Sequence, residues 1–176
     1  MSQDDLRYPV GLWERPAQLS ESERAAATAV IAGLPRAMRD AVAGLTPAQV
    51  ETPYRPDGWT VRQVVHHVPE SHMHAYCRFK FALTETHPTI KPYDEGTWSA
   101  LPDQPVATIE SSLMLLDGLH QRWTALLSVM TPAQFARTLF HPENGETRLD
   151  QMLAHYAWHS RHHLAHITAL RQRKGW

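Results

Sequence analysis

The sequence predicts an all-α protein, a four-helix bundle formed by a single domain over residues 1–176. Three observations lead there. Apolar residues recur at helical spacing, and no convincing strand alternation appears. Four long segments each open on a Ser or Thr suited to capping a helix. The 13 prolines fall mostly between those segments.

Residues 1–19, with Tyr8, Pro9 and Trp13, read as an irregular arm that covers either a pocket or a second protomer. Ser20 and Glu23 then form a capping-box pattern, opening a helix to about Leu45 that Pro35 is placed to kink. Thr60 caps a second helix, from Val61 to about Glu85. Residues 87–106 carry Pro88, Pro92, Pro102 and Pro105, and read as a long ordered loop. Thr108 starts a third helix to about Met130; Thr147 starts a fourth, from about Arg148 to Lys174, with Gly175 as its stop. Thr46-Pro47-Ala48-Gln49 and Thr131-Pro132-Ala133-Gln134 repeat, each placing Pro at the first helical position after a long helix. The repeat suggests two helical hairpins packed with approximate two-fold symmetry.

Composition narrows the function. A net charge of −1 leaves no basic footprint for nucleic acid or an anionic membrane. No apolar run reaches the roughly 20 residues that span a bilayer. The chain's start lacks the basic-then-apolar layout of a secretory signal, and the single Cys77 forms no internal disulfide. The expectation is a cytoplasmic protein acting on small molecules.

Histidine is the outlier. The chain has 12, roughly three times average usage. His155, His159, His162, His163 and His166 fall within about a third of a helix circumference. Protonating any one of them would penalise the others, a conflict removed by a metal that takes neutral imidazoles. His155/His159, His159/His163 and His162/His166 all have the i, i+4 spacing that grips one ion, so spacing leaves three pairs open. The second helix offers a stripe of His67, Glu70, Ser71, His74 and Arg78, whose start is flanked by Val64, Val65 and Val68. His66 is turned about 100° away from His67 and reads as a packing or surface residue. Three imidazoles on a tetrahedral ion leave one position open, the arrangement of a catalytic site.

Two stretches resemble a known family. Residues 58–67, Gly58-Trp59-Thr60 through His66-His67, resemble the entry to the second helix of the DinB/YfiT superfamily. Residues 158–167, Trp158-His159 through His166-Ile167, resemble its last helix. The likeness extends to residues 7–11, 52–55, 78–80 and 91–95, and is strongest to the YfiT branch. The resemblance implies a four-helix bundle, a homodimer, and a three-histidine site for zinc or nickel. Carried over by position, the ligands are His67, His159 and His163. His155, His162 and His166 become neighbours that orient ligands or relay protons, with His162 the candidate for catalysis. Glu70 stands where the family often has an acid, as a general base or hydrogen-bond acceptor, against the alternative of a solvated helix charge. Pro69 departs from the pattern and bears on where Glu70 points.

Members of this branch carry the provisional name of metal-dependent hydrolase, and relatives transfer a low-molecular-weight thiol such as bacillithiol. Thiol transfer to a small electrophile is the favoured expectation, with Arg55, Arg62 and Arg78 as candidates to bind the thiol's carboxylates. Hydrolysis by metal-activated water is the alternative. A non-catalytic helical module that stores or senses metal is the third.

Overall fold

The computed structural model describes residues 6–176; residues 1–5 of the arm lie outside the described residues. The chain runs α1 (Glu21–Val42), α2 (Pro47–Val50), α3 (Val61–Thr84), α4 (Glu95–Ser99), α5 (Ile109–Val129), α6 (Pro132–Phe135), β1 (Thr138–His141), β2 (Gly145–Arg148) and α7 (Leu149–Lys174). The long helices α1, α3, α5 and α7 form the four-helix bundle. Their starts are those the caps indicated: Ser20, Thr60 and Thr108 each accept the backbone N–H three residues on. Ser20 and Thr60 complete reciprocal boxes with Glu23 and Gln63. Both interior prolines are absorbed, since α1 continues through Pro35 and α3 through Pro69. The repeated Thr-Pro-Ala-Gln segments are the one-turn helices α2 and α6, each closed by a Thr–Gln box.

The bundle's order departs from two hairpins. α1 packs against α5 and α7, and α3 packs against the same two, so α1 sits diagonally from α3, and α5 from α7. Short loops enforce antiparallel neighbours; here each pair of long helices is joined by a long connection holding its own short elements, and the chain is free to cross. The result that matters is that α3 and α7, the two histidine-rich helices, become neighbours.

One connection also holds strands, which periodicity did not reveal. β1 and β2 pair antiparallel with Thr138 opposite Arg148 and His141 opposite Gly145. Only four residues long, each strand is too short for a period-2 signal, although Pro142-Glu143-Asn144-Gly145 is a recognisable turn. Thr147 therefore belongs to β2 rather than capping α7, whose first turn is closed by Gln151 accepting the Arg148 N–H at 3.1 Å. Gly175 ends α7 in the left-handed conformation at φ 70°.

The core has two lobes. One gathers Trp123, Phe79, Leu149, Leu153 and Tyr156; the other gathers Val61, Val64, Val65, Leu116, Ile167 and Leu170. On α7 the first lobe ends at Ala157 and the second resumes at Ile167. The histidines fill the gap.

Candidate metal centre

Two valine-rich turns of α3 pack into the second lobe and carry His67 inward with them, while α7 brings His159 and His163 from the opposite wall. The three side chains are buried, and their donor atoms all lie within 4.8 Å of one another. His67 Nε2 and His159 Nε2 approach to 3.2 Å. Two imidazole nitrogens on one tetrahedral ion, with bonds of 2.0–2.1 Å, stand roughly 3.3 Å apart. The spacing fits a small divalent cation. His162, His163 and His166 also gather donor atoms within 4.8 Å, but on one helix, with His166 Nε2 donating to the Arg7 carbonyl at 3.0 Å.

Electrostatics favour the same reading. Burial pushes His67 down to about 3, with His166 adding to the effect. Burial likewise holds His159 and His163 well below the ordinary imidazole value, reinforced by the neighbouring histidines. All three are neutral at physiological pH, which is the state that binds metal. Neither three-member grouping includes a carboxylate.

The centre opens onto a cleft of about 760 Å³. Trp59 lies over His67 at 4.6 Å and parallel to His163 at 6.2 Å between ring centres. Its backbone approach depends on Gly58, where a Cβ would meet Arg55 Cγ at 2.6 Å and the Arg55 carbonyl at 3.2 Å. The described part of the arm lies along α7 and covers this chain's own cleft. Trp158 donates to the Gly11 carbonyl, and Gln151 to those of Pro16 and Ala17. Trp13 meets His155 edge-on at 5.1 Å.

The remaining candidates divide. His162 lines the cleft, stacked on Trp158 at 4.5 Å, and burial lowers it to about 3. His155 lines it too and is lowered to about 4, chiefly by burial. Arg55 and Arg78 line the cleft, joined there by Arg7 and Arg15. Arg62 does not: its Nε donates to Glu51 at 2.6 Å and its Nη1 to the Ala107 carbonyl at 2.8 Å, on the far side of α3. Glu70 is also outside the lining, accepting from Gln104 Nε2 at 3.3 Å, and burial raises its pKa. His66 is buried and hydrogen-bonds with Ser112 at 2.6 Å, a packing residue. Two neighbours of the centre escaped the sequence reading. His72 and His120, both buried, lie behind His159. His72 is turned about 140° from His67 around α3, and His120 stands isolated on α5, so no helical spacing links them.

The DinB superfamily model matches residues 31–167. The chain belongs to the DinB superfamily. Within it, the chain is 49% identical over 172 residues to a protein of Bacillus mycoides, covering 98% of this chain and 99% of that protein. A protein of Geobacillus kaustophilus is 49% identical over 175 residues, covering 98% of each. YfiT of Bacillus subtilis is 46% identical over 177 residues, covering 100% of this chain and 99% of the relative. All three are provisionally named metal-dependent hydrolases. The solved structure of YfiT, described as having an unusual four-helix bundle topology, superposes with a TM-score of 0.94 over 98% of this chain and 99% of that one. A second four-helix bundle protein, 20% identical with a TM-score of 0.60 over 83% of this chain, shares the fold alone.

Proposed function

We propose that this DinB-superfamily chain is a metal-dependent enzyme whose ligands are His67, His159 and His163, and that it transfers a low-molecular-weight thiol to small electrophiles. The carrying observation is a cleft lined by Arg7, Arg15, Arg55 and Arg78, and also by Asp57, Glu95 and Glu143, above a three-histidine group that has no carboxylate among its donors. When bound, a divalent ion there supplies Lewis acidity, which favours thiolate over thiol without a separate base. Arg55 and Arg78, with Arg7 and Arg15 nearby, are suited to hold carboxylates of a bacillithiol-like molecule and aim its sulfur inward. Trp59 and the arm's Trp13 exclude water from the centre. In the transfer the S–H bond breaks and a carbon–sulfur bond forms, the leaving group departs from the electrophile, and the released proton passes to solvent. Zinc or nickel suits three imidazoles.

Hydrolysis is the second reading, favoured by the names of the relatives. Glu70, the acid the sequence offered as its base, lies outside the cleft and is held by Gln104, and no carboxylate is among the grouped donors of the centre. Metal-loaded protein supplied with bacillithiol and a chromogenic electrophile should form the thioether. Equal rates from His159→Ala would sink the proposal, and release of product from an ester without added thiol would favour the hydrolase. The proposal includes a cytoplasmic homodimer, which sedimentation of the purified protein tests.

A further inference from the structure

We propose that His72 and His120 are positioning residues that lock the ligand His159 in one tautomer, and that Pro35 is part of the same device. The inference rests on reading His67, His159 and His163 as a metal centre. Its geometry is a chain of hydrogen bonds starting at a main-chain oxygen. His120 Nδ1 lies 2.6 Å from the Ile31 carbonyl. His120 Nε2 lies 2.9 Å from His72 Nδ1, and His72 Nε2 lies 3.1 Å from His159 Nδ1.

A carbonyl only accepts, which fixes the direction of every bond. His120 must donate from Nδ1, and a neutral imidazole then has only an acceptor left at Nε2. His72 must therefore donate from Nδ1 and accept at Nε2. His159 must in turn donate from Nδ1. Its remaining lone pair is on Nε2, the atom that faces His67 Nε2 at 3.2 Å. The ligand's donor atom is thus chosen by a backbone carbonyl on another helix, through two intervening rings.

Pro35 explains why that carbonyl is free. In an uninterrupted α-helix the Ile31 oxygen would accept the N–H of residue 35. Residue 35 is proline, which has no N–H. The bond lost inside α1 is replaced by the one from His120. The chain ends at a buried main-chain oxygen, with Ile31 at 0% exposure. It therefore offers no exit for a proton. Its effect is to hold the ring of His159 and raise its basicity, the usual service of a hydrogen bond to a ligand's second nitrogen.

The test has two arms. Two-bond ¹H–¹⁵N correlation spectra of the metal-free wild type should show His72, His120 and His159 all protonated at Nδ1. An Nε2–H ring at any of the three overturns the proposal. In the second arm, zinc affinity is measured by chelator competition and the ligand field by cobalt(II) absorption. His72→Phe should weaken zinc binding about 10–100-fold and broaden the cobalt spectrum. His72→Gln, which keeps a donor and an acceptor, should recover most of the loss. Pro35→Ala returns an N–H to compete for the Ile31 oxygen; zinc affinity should fall severalfold without a lower thermal midpoint. Wild-type affinity in both His72→Phe and Pro35→Ala overturns the proposal. A wild type that binds no zinc defeats the metal reading instead, while the metal-free spectra still judge the hydrogen-bond chain.

Discussion

Mild acid should unfold the metal-free protein. Six histidines, His67, His72, His120, His155, His159 and His163, are held neutral in the fold by burial, with pKa values of about 3 for His67 and about 4 for His120 and His155. In the unfolded chain each returns to the ordinary 6.5. Because the folded values are depressed, the unfolded state binds more protons below that value, and stability is lost as pH falls from 6.5 towards about 4. Lowering pH from 7 to 5.5 costs about 1.2 kcal/mol for each of His67, His120 and His155, about 4 kcal/mol together, and the other three act in the same direction. That is a large share of a whole domain's stability, about 5–15 kcal/mol. Urea titrations followed by far-ultraviolet circular dichroism at the two pH values measure it. With a denaturant slope near 2 kcal/mol per molar, the midpoint should fall by about 2 M or more, or the protein should already be unfolded at the lower pH. Midpoints within about 0.5 M of each other would refute the argument that these rings are buried as neutral imidazoles.

Zinc should oppose that loss: at free metal about 100 times the dissociation constant it adds about 2.7 kcal/mol, and His163→Ala should erase the gain in a thermal scan. Arg55→Gln and Arg78→Gln should each raise KM for the thiol about tenfold or more with kcat little changed, as expected for lost charge-assisted hydrogen bonds; a fall in kcat alone would deny them a binding role. Trp123→Ala, at a side chain with 0% exposure, should cost about 3–5 kcal/mol by urea unfolding. Ser20→Ala removes the cap of α1 and should cost about 1 kcal/mol by the same measurement.

The helices were legible because their signals are local. A Ser or Thr three positions before Glu or Gln states where a helix starts, and Ser20, Thr60, Thr46 and Thr131 all behave as such. The histidine face of α7 was legible for the same reason, though the i, i+4 rule could not choose among its three pairs. That choice came from resemblance, and the approach of His67 to His159 is its geometric counterpart. What stayed hidden depends on contacts between helices. The diagonal placement of α1 and α3 is set by which long connections cross, about which residue spacing says nothing. Glu70 is one turn from His67, yet Gln104 holds it outside the cleft, and Arg62 is taken up by Glu51 and the Ala107 carbonyl. His72 and His120 acquire meaning only when α3 and α5 meet. The hairpin was lost to shortness, with four residues in each strand.

The helix order also sets when the centre can form. His67 and His159 are 92 positions apart. Closing a loop of that length costs on the order of 4 kcal/mol of chain entropy. A growing chain that has completed α1 to α5 offers a single member of the trio, His67, and the other two arrive only with the last helix. Helix docking must therefore bring the walls together before an ion can find more than one ligand. With the proposed ligand set, metal capture is a late event, and an ion held by all three rings would certify that the C-terminal helix has reached its place.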